Sequence, residues 1–328
     1  MNKYLLKYLN QAPASFVYKM LRKKNITLND GKANGDEILK TDDRVKIYFS
    51  EETMAKFRSI DEDSEGISAK TKDKADNLVI LYRDDDILAV HKAAGTLSQK
   101  ADRSDYSINE AICDYYNRNI KKTEISDTFK PSVCNRLDRN TSGIILAGIS
   151  LAGSKYLSEI IRNREIDKYY YTIVKGNVPE RLEVEGYIKK DTENNKSTVI
   201  SSVDYAGLSR EMKEKYSYIK NIFYCVSNHK EYSLLRIKLV TGKSHQIRAQ
   251  LCALGFYMLG DEKYGDRAVN AYMRKKYGLK HHLLHAGAVC LKGMDGSKIE
   301  IKDKLPGIFY KICEGEGIKY GNLEFQRT

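Results

Sequence analysis

Proline is scarce in this chain, 4 residues in 328, and no apolar run approaches the roughly 20 residues that a membrane span requires. With only 22 glycines beside them, a collagen-like or low-complexity chain is excluded by composition. The six cysteines (Cys113, Cys134, Cys225, Cys252, Cys290, Cys313) are scattered without CxxC spacing, which reads as reduced thiols rather than a disulfide framework. The first residues, Met1-Asn2-Lys3-Tyr4-Leu5-Leu6-Lys7, have neither the apolar core nor the small-residue cleavage site of a secretory leader. A cytoplasmic location is therefore expected. His281-His282-Leu283-Leu284-His285 lacks the glutamate of a zinc-binding HExxH helix, so no metal is expected there. Gly242-Lys243-Ser244 imitates the end of a phosphate-binding P-loop, but Ile237 stands where the loop's first glycine is needed. Nucleotide hydrolysis is excluded, and no cofactor is expected.

What the chain does have is positive charge. Lys and Arg number 56 against 44 Asp and Glu, a formal net charge of +12. The excess is uneven: residues 1–50 carry +5, residues 51–76 carry −3, and residues 77–328 carry +10. The acidic stretch contains Asp61-Glu62-Asp63-Ser64-Glu65-Gly66, is nearly free of aromatics, and reads as a flexible linker over 51–76. Two basic domains on an acidic tether are expected, 1–50 and 77–328. Basic surfaces attract polyanions, because each Lys or Arg that meets a phosphate releases counterions. Net charge alone does not separate a nucleic-acid binder from a merely solvated surface.

In the first fifty residues, Leu6, Leu9, Val17 and Leu21 carry helical spacing, and Pro13 separates two short helices. Ser15 is placed to cap the second, Ser15–Lys24, whose polar face shows Lys19, Arg22, Lys23 and Lys24. Ile26–Gly31 reads as a short strand closed by an Asp-Gly turn, and Arg44–Tyr48 as another strand. A solvated helix on a mini-domain would look similar. The run from Ala14 to Asn29, followed by Lys32 and Asp43-Arg44-Val45-Lys46-Ile47, resembles the alpha-L RNA-binding domain first described in a small-subunit ribosomal protein. That family carries Gly-Asp before its last strand, where this chain has Asp42-Asp43. The resemblance implies RNA contacts from Ser15, Lys19, Arg22, Lys23, Lys24, Asn29 and Lys32.

Beyond the tether, Leu78–Tyr82 and Ile87–His91 flank Asp84-Asp85-Asp86 in a hairpin pattern. A helix is expected from Ser107, with Glu110 completing a capping box, to about Asn119. The densest segment is Asn135-Arg136-Leu137-Asp138-Arg139-Asn140-Thr141-Ser142-Gly143, followed by the apolar strand Ile144-Ile145-Leu146-Ala147. A carboxylate between two arginines is either a turn-stabilising ion pair or a reacting group, and spacing alone leaves both open.

The segment looks like the signature of the RluA family of pseudouridine synthases, whose usual form is His-Arg-Leu-Asp-x-x-Thr-Ser-Gly. Asn135 replaces the histidine, a departure that concerns loop hydrogen bonding rather than the reacting group. Lys168-Tyr169-Tyr170-Tyr171-Thr172-Ile173-Val174-Lys175-Gly176 resembles the family's Lys-x-Tyr-x-x-x-Val-x-Gly strand and aligns Tyr170 with its active-site tyrosine. By strand alternation Tyr169 and Tyr171 should face the other way. Thr241-Gly242-Lys243-Ser244-His245-Gln246-Ile247-Arg248 resembles the family's Thr-Gly-Arg-Thr-His-Gln-x-Arg, which implies that Arg248 pairs with Asp138. Gly260-Asp261-Glu262-Lys263-Tyr264-Gly265 and Leu284-His285-Ala286 also fit, whereas Lys92-Ala93-Ala94-Gly95 lacks the proline of the family's Lys-Pro-x-Gly turn. The resemblance spans about residues 78–302. It implies Asp138, Tyr170 and Arg248 as catalytic residues, with Arg136, Arg139, Lys243 and His245 holding RNA.

The implied reaction is an isomerisation in which the uridine N1–C1′ bond breaks, the base turns over, and C5 bonds to C1′. A carboxylate suits either nucleophilic attack or removal of a ribose proton, and the two routes stay open. A guanidinium beside it offsets the desolvation that a base pocket imposes on a charge. The target base must first leave its stack, at a cost of a few kcal/mol. The strand patterns are longer and more numerous than the helical ones. An α+β fold is expected, an extended mixed or antiparallel sheet flanked by helices plus a small N-terminal α/β domain. A monomer acting on large-subunit (23S-type) ribosomal RNA is the expectation, with transfer RNA open. A non-enzymatic ribosome-assembly protein would not need the Asp138, Tyr170 and Arg248 set. A glycoside hydrolase would need a second carboxylate.

Overall fold

The computed structural model describes residues 1–40, 42–58, 78–102, 105–120 and 129–321. They group into two compact units, Met1–Asn77 with Asn117–Lys130 and Leu78–Tyr116 with Pro131–Thr328.

The first unit opens with α1 (Asn2–Tyr8) and α2 (Ala14–Arg22). Leu5, Leu9, Val17 and Leu21 face one way at helical spacing and are buried with Ile26 and Ala33. Pro13, not Ser15, is the N-cap of α2: its extended backbone (φ −66°, ψ 147°) starts the helix one residue earlier, leaving Ser15 exposed inside the first turn. Three antiparallel strands follow in the order β2, β1, β3: β1 (Ile26–Leu28), β2 (Gly31–Lys32) and β3 (Val45–Ile47). The hairpin turn is Asn29-Asp30, one residue earlier than the Asp-Gly pair suggests. Both residues have positive φ, 48° and 64°, as a two-residue type I′ turn requires. Asp42 takes the left-handed conformation (φ 71°) at the position where the resembling domains use glycine, which a short polar side chain tolerates.

The expected linker is corrected at its start. Residues Glu51–Phe57 form α3, capped by the Ser50 hydroxyl, which accepts from the Thr53 N–H at 3.3 Å. Met54 and Phe57 pack on the first unit's core, with the Phe57 ring centroid 4.2 Å from that of Phe16. Two apolar residues three apart anchor a segment whose average composition is polar. The remainder of the tether, 59–76, lies outside the described residues.

The larger unit is built on a mixed sheet of twelve strands among the described residues. They are β4 (Ile80–Arg83), β5 (Ile87–Lys92), β6 (Ser132–Val133), β7 (Ser142–Gly148), β8 (Asp167–Lys175), β9 (Arg181–Asp191), β10 (Lys196–Ile200), β11 (Ser217–His229), β12 (Tyr232–Leu239), β13 (Tyr257–Met258), β14 (Leu284–Lys292) and β15 (Lys298–Lys302). The main path runs β10, β9, β11, β12, β8, β14, β7, β5, β4, while β6, β13 and β15 pair with β7, β8 and β14. Its helices are α4 (Ile108–Asn119), α5 (Leu151–Asn163), α6 (Ser202–Ala206), α7 (Arg210–Lys213), α8 (Gln246–Ala253), α9 (Arg267–Tyr277) and α10 (Gly307–Glu316). The α+β architecture is as expected. So is α4, whose Glu110 carboxylate accepts from the Ser107 N–H at 3.1 Å and from its hydroxyl. No helix among the described residues is long and apolar enough to cross a membrane.

Two hydrophobic layers give the sheet its rigidity. Leu157 and Ile160 of α5 pack on Ile144, Leu146 and Val289, which is why β7 is buried at every position. Helices α9 and α10 cover Tyr171, Ile173 and Leu234 through Met273, Phe309 and Ile312. Each such side chain, fully buried, contributes about 1.5–3 kcal/mol. The seam between the halves is the only parallel pairing on the path, β7 with β14, two residue pairs long. Gly143 lies there with φ 117°, and a Cβ on it would overlap the carbonyl of Ala286, so the strands meet only because it has no side chain. The loop that precedes Gly143 is thereby set beside β8.

Candidate active site

The loop from Cys134 to Thr141 is held by side chains that act as extra backbone. The Asn135 amide donates to Ile144 O (3.2 Å), and its oxygen accepts from Leu146 N–H (2.7 Å). This is the loop hydrogen bonding that the departure from histidine put in question, and asparagine supplies it. Buried Ser98 accepts from Leu137 N–H (3.0 Å) and donates to Leu137 O (2.9 Å). Lys92 is fully buried and donates to Thr96 O (2.8 Å), Arg139 O (2.9 Å) and Ala93 O (3.2 Å). Burial pulls its pKa down to about 8, against the pull of the Asp138 charge. The turn after Lys92 forms without the family's proline: Gly95 adopts φ 91° and donates its N–H to Arg139 O at 2.9 Å.

Asp138 emerges from this loop with 28% of its side chain exposed, and Arg248 Nη1 donates to its Oδ2 at 2.9 Å. Arg248 reaches it from α8, a helix entered through His245 in the left-handed conformation (φ 55°). Two further donors of the same guanidinium, Nε and Nη2, meet the two oxygens of Asp261 at 2.7 and 2.9 Å. Burial opposes the charge of Arg248, but Asp261 and Asp138 together raise its pKa above the usual value. Burial likewise works against the Asp261 carboxylate, and Arg248 and two backbone N–H donors more than compensate, leaving its pKa low. Helix α8 itself is fastened by buried amides. Asn221 Nδ2 donates to Gln250 Oε1 (2.6 Å), Gln246 Nε2 to Asn221 Oδ1 (3.0 Å), and Thr241 Oγ1 to Gln246 Oε1 (2.9 Å).

Tyr170 is buried on β8 and lines the same cavity as Asp138 and Arg248, about 690 Å³ in volume. Burial first, and the Asp138 charge second, push its hydroxyl pKa up, so it is protonated at neutral pH. Tyr169 and Tyr171 face the other side as alternation requires, Tyr169 beneath the Arg236 guanidinium at 4.1 Å and Tyr171 in the core. Arg136, Lys243 and His245 line this cavity too, and Arg139 lines an adjoining one of about 410 Å³. His245, expected to contact RNA, stands with Nε2 3.9 Å from Asp138 Oδ2 and Nδ1 3.1 Å from the Tyr264 hydroxyl. Burial lowers its pKa, with the Asp138 charge opposing.

Ser15, Lys19, Arg22, Lys23, Lys24, Asn29 and Lys32 belong to the first unit and are exposed there. Asn29 is committed within it, donating to Asp43 Oδ1 and accepting from Arg44 N–H, both at 2.8 Å. The histidine cluster works on the loop: His282 Nε2 lies 2.8 Å from Thr141 Oγ1, and His285 Nδ1 lies 2.9 Å from Ser142 Oγ. Burial lowers both imidazole pKa values to about 4. No group of three or more metal-ligating side chains is assembled among the described residues. Sequence reasoning assigned no role to Lys92, Asp261 or His282. The available signals for Lys92 were a charge just after the apolar run Ile87–Val90 and its match to the lysine of the family's Lys-Pro-x-Gly turn.

The sequence profile of the family described as RNA pseudouridylate synthase matches residues 86–253. An uncharacterized RNA pseudouridine synthase of Mycoplasma genitalium is 28% identical over 92% of this chain and 88% of its own length. Ribosomal large subunit pseudouridine synthase C of Rickettsia felis is 26% identical over 94% of both chains, and synthase D of Borreliella burgdorferi 26% identical over 79% and 74%. Human RNA pseudouridylate synthase domain containing 4 shares the fold, with a TM-score of 0.60 at 20% identity over 76% of this chain and 97% of its own. The chain belongs to the RNA pseudouridylate synthase family, RluA type, and is an isomerase that makes pseudouridine in RNA.

Proposed function

We propose that this enzyme isomerises uridines of large-subunit ribosomal RNA, with Asp138 as the reacting carboxylate, Arg248 as its charge partner and Tyr170 as the surface on which the flipped base stacks. The observation that carries the assignment is the 2.9 Å hydrogen bond from Arg248 to a partly exposed Asp138, in a cavity that Asp138 alone among carboxylates lines. RNA entering that cavity strips water from Asp138, and the guanidinium keeps the carboxylate charged and aimed as this happens. Asp138 then attacks or deprotonates the ribose as N1–C1′ breaks. The base rotates, C5 bonds to C1′, and the proton lost from C5 is balanced by the one gained at N1. The Tyr170 hydroxyl is well suited to donate a hydrogen bond to the turning base. Accepting the C5 proton there requires a transient phenolate, at a cost that burial raises.

The first unit supplies sequence-independent grip as an alpha-L RNA-binding domain, through the basic face of α2 (Lys19, Arg22, Lys23, Lys24) together with Ser15 and Lys32. The protein works as a cytoplasmic monomer. The Rickettsia and Borreliella relatives are ribosomal large subunit pseudouridine synthases, which supports the same class of RNA here. Tritium release from 5-labelled transcripts of large-subunit rRNA, small-subunit rRNA and transfer RNA tests the target. Release from the large-subunit transcript is expected, and release confined to transfer RNA overturns that part. Transcriptome-wide pseudouridine mapping in a deletion strain then names the uridine.

A further inference from the structure

The cavity that holds Asp138 is also lined by Arg136, Arg162, Arg164, Lys168, Lys190 and Lys243. None of these six forms an ion pair with another described residue. Solvent alone explains such a pattern for cations that stand free in water. It does not explain Lys168, which lies half-buried on β8, two residues before Tyr170 and on the same face of the strand. Its ammonium loses hydration and feels the Arg164 charge, and both lower its pKa. A lysine half-removed from water beside an arginine, with no acid among the described residues to meet it, is an arrangement that an incoming anion relieves.

The geometry points to a phosphate subsite formed by Arg164, Lys168 and Lys243, which takes the phosphodiester adjoining the flipped uridine. This rests on Asp138 being where that nucleotide reacts. Three features place it. Lys168 and Tyr170 share one face of one strand, so an anion at Lys168 and a base at Tyr170 belong to neighbouring parts of one ligand. Gly242 leaves the ammonium uncovered: a Cβ there would lie 3.6 Å from Lys168 Nζ. Arg164 is the left-handed C-cap (φ 62°) that turns α5 toward β8, and Lys243, which follows Gly242 in the chain, lines the same cavity as Lys168. A uracil edge offers neutral donors and acceptors, for which three cations are ill matched. A phosphodiester carries the one negative charge they lack.

The test uses the full-length protein carrying Asp138→Asn, so that binding is read without turnover, and a hairpin RNA containing the target uridine. Lys168→Met should weaken binding about tenfold and reduce the slope of log K against log salt by roughly one phosphate's worth, while Lys168→Arg restores both. An RNA with an uncharged methylphosphonate on the 5′ or the 3′ side of the target should bind the parent protein as weakly as Lys168→Met binds native RNA. Combining the two changes should cost nothing more. If Lys168→Met does not fold, Gly242→Val, which covers the ammonium, should give the same smaller slope. An unchanged slope in a folded Lys168→Met or Gly242→Val variant overturns the subsite, as do fully additive losses with both methylphosphonates. Retained turnover by Asp138→Asn alone is a separate result, which removes the catalytic assignment and leaves the salt slope as it stands.

Discussion

Asp261 holds Arg248 by two parallel hydrogen bonds, Nε to Oδ2 at 2.7 Å and Nη2 to Oδ1 at 2.9 Å, leaving Nη1 to reach Asp138. Asp261 is fully buried and Arg248 nearly so, so neither charge has water to fall back on. Asp261→Ala should therefore cost about 3 kcal/mol of folding stability, because it leaves a buried guanidinium with only its single bond to the part-exposed Asp138. Adding Arg248→Met should recover part of that loss, since the two side chains act as a unit. Urea denaturation of the two single variants and the double variant measures this; strictly additive losses would show that the pair is not coupled.

Gly143→Ala should be among the most damaging single-methyl changes. The new Cβ overlaps the Ala286 carbonyl at the β7–β14 seam, and φ 117° is closed to side chains. A loss of about 3 kcal/mol or more is expected, from strain and displaced backbone together. Because the Asp138 loop runs into that seam, turnover of the surviving folded protein should also fall. Thermal melts and tritium release on the same preparation check both.

Stability should decline as pH falls from about 6.5 to about 4. His282 and His285 are buried beside Thr141 and Ser142, and both have pKa values lowered to about 4. In that window the unfolded chain binds protons that the native state refuses, so native stability rises with pH across it and is fully present above it. Each histidine is worth on the order of 3 kcal/mol. Urea midpoints measured between pH 4.5 and 7.5 should show the slope, and His282→Gln, which cannot titrate, should flatten it. A parallel profile in that variant would contradict the assignment to His282.

Removing residues 1–58 should weaken RNA binding and reduce its salt dependence while the larger unit keeps its fold. The cut belongs after α3 rather than at residue 50, because Met54 and Phe57 are part of the first unit's core. Filter binding against ionic strength, with circular dichroism on the truncated protein, reads both effects. An unchanged salt slope removes the first unit from the binding account.

Local patterns revealed β1, β3, the hairpin at Asp84-Asp85-Asp86 and the buried β7, because alternation and apolar runs are short-range properties. The approach of Arg248 to Asp138 is a contact across 110 residues. Spacing alone could not separate it from an ordinary ion pair, and only the ordered motifs implied it. Lys92, His282 and His285 act on residues 47 to 143 positions away, so no window of sequence holds both partners, and Asp261, only 13 residues from Arg248, carries no spacing that shows the two side chains meet. Where the local reading erred, the margin was small or the anchor was hidden. The turn at Asn29-Asp30 was displaced by one residue and the cap at Pro13 by two, and α3 was concealed by the acidic residues around its two apolar contacts.

The central claim is that one carboxylate carries the chemistry, and Asp138→Asn tests it most directly. The change keeps the side chain's shape and still offers Arg248 an oxygen, so the loop and the RNA-binding surface should persist. On 5-tritiated RNA the variant should release no tritium above background while binding that RNA about as tightly as the parent. Release at a near-normal rate by a folded Asp138→Asn protein would contradict the account.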